Sequence, residues 1–228
     1  MIDHAHDLAC VRDATSRLLI AVAELDNASL ALPSRLPRWS RGHVLAHIAR
    51  NADALVNVLD GRPMYASAEQ RDADIEHDSP RPVAVQLADL RESAARFQAA
   101  GDAPADWTRT VELRNGVTDS AARIPFRRWA EVELHHVDLG TGYELEDLPA
   151  EFLERETGFL AQRFAGHEDV PATRITNGTR AWSTGREAEV SEITVTGRPA
   201  DLLGWLAGRR DGAALEVRGG ALPKLPPL

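Results

Sequence analysis

A helical bundle followed by a small α+β domain is the architecture that this 228-residue sequence predicts. Two observations carry the prediction. Over the first two-thirds of the chain, apolar residues recur at three- and four-residue steps, the period of a helix with one buried face. After about Ala165 the pattern changes to short threonine- and valine-bearing segments separated by Asn177-Gly178, Gly185 and Gly197, which are strand and turn signals. The boundary falls near residues 165–172, giving a bundle over 1–168 and an α+β domain over 169–228.

The elements follow in order. Leu8, Val11, Thr15, Leu18, Leu19, Val22 and Leu25 form one stripe on a first helix. Leu32 to Trp39 holds two prolines and connects it to the next. Ser40 is placed to cap a second helix whose face carries Val44, His47, Ile48, Asn51, Leu55, Val58 and Leu59, and which stops at Asp60-Gly61. The polar stretch from Ser67 to Arg81 reads as a long loop with room for a short helix. Val83, Leu87, Leu90 and Phe97 mark a third helix ending near Gly101. Pro125 suits the first turn of a fourth, with Phe126, Trp129, Val132 and His136 along it as far as Gly140. Pro149 opens a fifth. Strands are expected over Thr173–Thr179, Ala181–Thr184 and Glu189–Thr196, then a helix from Pro199 and a last strand over Ala214–Val217.

Composition excludes several function classes. With 43% hydrophobic residues the chain can bury a sizeable core. Its 26 basic and 35 acidic residues give a formal charge of −9, which disfavours nucleic acid and anionic membranes as partners. No run of about 18 apolar residues spans a bilayer, and the polar, acidic start is unlike a secretion signal. The single cysteine, Cys10, forms no internal disulfide and suits a reducing cytoplasm.

One constellation suggests chemistry. Glu131 and His135 are four residues apart, so on a helix they lie one above the other on the same face. His47 occupies an apolar-face position of an earlier helix. Alone, each has an ordinary explanation: a helical salt bridge for the pair, a satisfied core histidine for His47. Together they sit on bundle helices whose apolar faces must meet, which is how metal sites are built in bundles. Two imidazoles and a carboxylate with one open position suit catalytic zinc. His43 falls on the flank with Arg41 and Arg50, while His136 points about 100° away from His135 and Glu133 is also turned off that face. Asp138 is placed either to orient the His135 ring or to face water. Cys10 lacks a basic cluster, and the chain has no nucleophile elbow, phosphate loop or dinucleotide fingerprint. The chemistry would come from a metal-bound water or an external thiol.

These residues also carry a resemblance. The stretch from Leu36 to Asn57, containing Trp39-Ser-Arg-Gly-His-Val-Leu-Ala-His47, resembles the mycothiol-dependent maleylpyruvate isomerases. Pro63-Met-Tyr-Ala-Ser and Arg71-Asp-Ala-Asp-Ile75 resemble the segment that follows there. Arg128-Trp-Ala-Glu-Val-Glu-Leu-His-His-Val-Asp-Leu139 is similar to the second signature and Leu203-Gly-Trp-Leu-Ala-Gly-Arg209 to a third. The likeness runs through nearly the whole chain. It implies a DinB-like four-helix bundle carrying the metal and a small C-terminal α+β domain of sterol-carrier type. By position, it places zinc ligands on His47, Glu131 and His135 and a functional arginine on Arg209, with Arg210 and Arg218 close by. One departure is the short connection before Pro63, only Asp60-Gly-Arg after Leu59.

The implied activity is zinc- and mycothiol-dependent conversion of maleylpyruvate to fumarylpyruvate, a step of gentisate degradation. Rotation about a cis double bond is slow until thiolate addition makes that bond single; expulsion of the thiolate then leaves the trans product. A free thiol has a pKa of ~8.5, so only a few per cent is thiolate at neutral pH, and zinc coordination would ionise it. Arg209 would bind a carboxylate of the dianionic substrate, although a helix-terminal arginine can also simply serve the dipole. The expected partners are a small dicarboxylate and a low-molecular-weight thiol, with a monomer as the working state. Two other functions fit the same residues: a mycothiol S-transferase conjugating electrophiles, and a non-catalytic metal-binding module. A metal-assisted hydrolase is disfavoured because no extra general base stands near the triad.

Overall fold

A computed structural model describes residues 2–187 and 190–227. The chain divides into two compact units, Met1–Tyr143 and Glu144–Leu228. Among the described residues no helix is long and apolar enough to cross a membrane.

The first unit contains α1 (His4–Ala23), α2 (Asn27–Ala31), α3 (Arg41–Leu59), α4 (Ala68–Asp78), α5 (Val83–Asp102) and α6 (Ile124–Asp138), with a two-stranded ribbon, β1 (Thr110–Glu112) and β2 (Thr118–Ser120), between the last two helices. Helix α1 packs against α5 and α6, and α3 packs against the same two, so α1 and α3 occupy opposite corners of a four-helix bundle. Leu8, Val11, Ala14, Leu18 and Val22 are the buried stripe of α1. Thr15 and Leu19 are half-buried, and Leu25 lies past the helix end. Helix α3 also meets α2 and α4, which is why the alanines flanking its apolar stripe, Ala46, Ala49, Ala52 and Ala54, are buried too. The Ser40 side chain accepts from the His43 amide, and the His43 ring accepts from the Ser40 amide, a reciprocal cap on the first turn of α3.

Two elements differ from the sequence expectation. The segment from Ser67 to Arg81, read as a loop with room for a short helix, contains the eleven-residue helix α4. Ser67 caps it by accepting from the Gln70 amide, Gln70 bonds Asp74 one turn on, and Ile75 is buried. The β1–β2 ribbon was not anticipated. It is antiparallel, with Val111 opposite Asp119, and its turn places Asn115 at φ 60° and Gly116 at φ 71°. Asn-Gly is the pair such left-handed turns favour, but three-residue strands are too short to show alternation.

The second unit contains α7 (Ala150–Arg163), β3 (Thr173–Thr176), β4 (Ala181–Thr184), β5 (Ile193–Thr196), α8 (Pro199–Leu206) and β6 (Glu216–Arg218). The sheet order is β4-β3-β5-β6, with β3 parallel to β5 and both edge strands antiparallel to their neighbours. The expected strand from Glu189 is observed from Ile193 onward, and Glu189 itself lies outside the described residues. Helix α7 packs on α8 and β4. It buries Phe152, Leu153, Leu160 and Ala161. The fifth helix thus belongs with the sheet, and the division falls after Tyr143 instead of at 168/169.

Candidate metal centre

Helices α3 and α6 run antiparallel where they hold the candidate residues. Arg41, the first residue of α3, donates through Nε to the Leu139 carbonyl and through Nη2 to the Gly140 carbonyl, both at 2.9 Å, satisfying acceptors left open at the end of α6. From that tie, six residues along α3 advance about 9 Å and four residues back along α6 about 6 Å, which brings His47 and His135 to a similar height. A second tie comes from Arg128, 1% exposed, whose Nη1 donates to the Ile48 carbonyl at 2.9 Å and to Asn51 Oδ1 at 2.8 Å.

Between these ties His47, Glu131 and His135 converge. His47 Nε2 is 3.0 Å and His135 Nε2 3.3 Å from the same carboxylate oxygen, Glu131 Oε2. The candidate ligand atoms all lie within 4.8 Å of one another. The imidazoles meet edge to face with centroids 4.6 Å apart, and Trp39 lies 5.4 Å from the His47 ring. His47 is buried, while a third of the Glu131 side chain is exposed, so the group is open on the carboxylate side. His135 Nδ1 is 2.9 Å from Asp138 Oδ2, and Asp138 is fully buried. That contact fixes the ring with Nε2 directed at Glu131, the support that a ligating histidine requires.

Electrostatics set the three groups apart. Burial pushes the His47 pKa down to about 4, against the pull of the Glu131 carboxylate, so the ring is neutral at physiological pH. Burial also opposes charge on His135, but its hydrogen bonds to Asp138 and Glu131 prevail and raise its pKa. For Glu131, burial is outweighed by hydrogen bonds from His135 and His47, which hold it well below the usual carboxylate range. An ionised carboxylate and two imidazole nitrogens directed at one point form a donor set suited to zinc or a similar divalent transition ion.

The remaining candidates lie elsewhere. His43 is taken up by the Ser40 cap and by Glu76, 3.3 Å away. His136 stacks on Tyr143 with centroids 4.0 Å apart. Glu133 is buried and accepts from Arg17, Trp129 Nε1 and the Tyr143 hydroxyl. Cys10 is half-buried, with Sγ 3.6 Å from His6 Nε2. In the second unit, Arg209 follows α8 and donates through Nη1 to the Ala207 carbonyl at 2.7 Å. Arg210 is held by Glu146 and Asp201, and Arg218 by Glu216.

Two neighbours of the centre had no role in the sequence reading. Arg71, on α4, donates through Nη2 toward His47 Nδ1 at 3.3 Å, and its guanidinium lies 5.9 Å from the Tyr65 ring centroid. Tyr65, whose pKa is raised by burial and by Glu131, also lines a cavity of about 510 Å³ with Pro63, Arg109, Leu113 and Arg114. Arg71 lies on a helix of strongly polar sequence, where periodicity gives no sign of a partner.

Comparison with known proteins identifies the family. The Mycothiol maleylpyruvate isomerase N-terminal domain matches residues 11–140 and the MDMPI C-terminal domain matches residues 147–227. The junction between these matches brackets the structural division after Tyr143. No curated protein matches. Two solved structures do: a mycothiol-dependent maleylpyruvate isomerase, and a variant of that enzyme with one histidine replaced by alanine. Each has a TM-score of 0.88 and 25% sequence identity, over 99% of this chain and 97% of the other. The first domain match alone spans more than half of the chain, and with the second following it in order, the chain belongs to the mycothiol maleylpyruvate isomerase family.

Proposed function

We propose that this chain converts maleylpyruvate to fumarylpyruvate with mycothiol and a divalent metal, zinc by its donor set, held by His47, Glu131 and His135. The observation that carries the reading is the convergence of these three side chains, in a chain of this family, on one point between α3 and α6. Bound there, zinc would favour the thiolate of mycothiol, the form that adds to the alkene and leaves again after rotation.

The chain's own groups divide the remaining work. His47 stays neutral and so keeps a nitrogen lone pair for coordination. Glu131 stays ionised and supplies the compensating charge. Asp138 orients His135, and the Trp39 ring packs at a tilt against that of His47. The cavity beside Tyr65 offers room for a small acid or a thiol conjugate, with Arg109 and Arg114 among its walls. Arg209 is the residue assigned to a substrate carboxylate from the second unit. Arg210 is ion-paired with Glu146 and Asp201, and Arg218 with Glu216. The single cysteine and the lack of a membrane-crossing helix among the described residues agree with a cytoplasmic enzyme.

The test mixes purified protein, maleylpyruvate and mycothiol while absorbance and free thiol are followed together. An ultraviolet change at constant thiol supports the isomerase, whereas stoichiometric thiol loss identifies an S-transferase. Replacing His47 or His135 with alanine should remove about one bound zinc and all turnover with the fold retained. Turnover and zinc content surviving both changes would refute the metal assignment.

A further inference from the structure

Tyr65 joins the candidate centre to the cavity beside it. It lines the space of about 510 Å³ bounded by the end of α3, the connection to α4 and the β1–β2 ribbon. The guanidinium of Arg71 lies 5.9 Å from its ring centroid and reaches His47 Nδ1 at 3.3 Å, so one side chain separates the phenol from the candidate ligands. Burial, and after it the nearby Glu131 carboxylate, raise the Tyr65 pKa, which keeps the hydroxyl protonated.

Chemistry fixes the direction of the hydrogen bond at this phenol. Arg71 bonds the Tyr65 hydroxyl, and a guanidinium only donates, so the phenol oxygen accepts. The O–H hydrogen is left over, and among the described residues no carbonyl or carboxylate takes it. A half-buried donor is costly to leave in that state, so water or a ligand in the cavity must complete it. The bond from Arg71 also polarises the O–H and makes it a stronger donor. The arginines of the cavity are placed differently. Arg62 is paired with Asp60 at 2.7 Å, Arg109 donates to the Leu59 carbonyl, and Arg114 is exposed on the ribbon turn.

We infer that Tyr65 is a catalytic residue whose hydroxyl donates a hydrogen bond to the substrate oxygen on which negative charge collects during isomerisation. The inference rests on the isomerase reading above and deepens it. When the thiolate sulfur bonds one carbon of the cis alkene, the π pair shifts toward the conjugated carbonyl, and the negative charge passes from sulfur to that carbonyl oxygen. The former double bond is then single and turns. Return of the electron pair from oxygen re-forms the alkene in the trans geometry, breaks the carbon–sulfur bond and releases the thiolate. The Tyr65 hydrogen stays on its own oxygen throughout, so no proton or further reactant is consumed. Its bond to the substrate oxygen is stronger when that oxygen is charged than when it is a ground-state carbonyl, which is the difference that accelerates a reaction.

Tyr65→Phe removes the hydroxyl and keeps the ring. With maleylpyruvate and mycothiol its kcat should fall about a hundred- to a thousandfold, the scale of losing one oxyanion donor. KM should stay within about threefold of wild type, since the lost contact belongs to the charged state. Zinc content and melting temperature should not change. An unaltered kcat, a loss confined to KM, or a loss of zinc or of stability that accounts for the fall overturns the inference. A measurement on the wild-type sequence checks the contact itself. The chain has two tyrosines, Tyr65 and Tyr143, so 3-fluorotyrosine labelling gives two fluorine NMR signals, assigned by the loss of one in Tyr143→Phe. The Tyr65 signal should shift when maleylpyruvate and mycothiol are added together, and that of Tyr143, which donates to Glu133 at 2.8 Å, should not. A Tyr65 signal that stays in place overturns the inference. Absence of wild-type turnover overturns the isomerase reading and the inference with it, whereas wild-type turnover matched by Tyr65→Phe overturns the inference alone.

Discussion

At the scale of single residues, each charged group of the candidate centre faces a partner. Asp138 illustrates this. It is fully buried, with its carboxylate 2.9 Å from His135 Nδ1. Asp138→Asn should lower zinc affinity about ten- to a hundredfold with little change in helix content, as loss of an outer hydrogen-bonding partner does elsewhere. An affinity equal to wild type in a competition titration would show that the ring is oriented without it. His47 gives a pH-dependent expectation. Its folded pKa of about 4 lies below the ordinary 6.5, so between these values the unfolded chain takes up a proton that the folded one refuses. Metal-free protein should lose stability from this group as pH falls through that window, by about 3 kcal/mol at the limit. His135, with its raised pKa, contributes in the opposite sense, so the contrast is between variants: urea unfolding at pH 7 and near pH 4.5 should show a smaller loss in His47→Leu than in wild type. The triad could be read from spacing because Glu131 and His135 share a helical face; Arg71 could not, since its contact joins two helices whose relative placement no local pattern encodes.

Elements show where sequence patterns succeed and where they fail. Helix α3 is legible because Ser40 caps it and its stripe is regular, and α6 because Pro125 and Gly140 bracket it. Helix α4 is half-hidden because only Ile75 and Asp78 of its eleven residues are buried, so it shows almost no apolar period. What holds α4 close to the centre is its packing on α3, and Gly42 is a point of close approach. A Cβ built there would lie 2.2 Å from the backbone oxygen of Ser79, at the end of α4, and a backbone atom cannot swing aside as a side chain can. Gly42→Ala should therefore destabilise the protein by about 1–3 kcal/mol, seen as a drop of several degrees in thermal unfolding. Because the displaced helix carries His47, zinc affinity should fall as well. A melting temperature equal to wild type would mean that the α4–α5 connection yields without cost.

For the whole molecule, the informative discrepancy is the division of the chain. Hydrophobic period alone assigns α7 to the bundle, because an amphipathic helix does not announce which partner covers its face. The contacts assign it to the sheet, so the candidate metal ligands lie wholly within Met1–Tyr143 while Arg209 belongs to Glu144–Leu228. Each unit has its own buried core, α1, α3, α5 and α6 in one and α7, α8 and the four-stranded sheet in the other. Binding the metal and completing the reaction should therefore be separable. A fragment of residues 1–143 contains His47, Glu131, His135, Asp138 and both arginine ties between α3 and α6, so it should bind zinc within a fewfold of the intact chain's affinity. It lacks Arg209, and if that residue neutralises a substrate carboxylate, maleylpyruvate turnover with mycothiol should be absent from the fragment. Arg209→Ala in the full chain isolates the same effect without truncation: zinc content should be unchanged and kcat/KM should fall by about two to three orders of magnitude, the scale of losing one charge-stabilising donor. Turnover by the fragment at the intact rate would confine all the chemistry to the first unit.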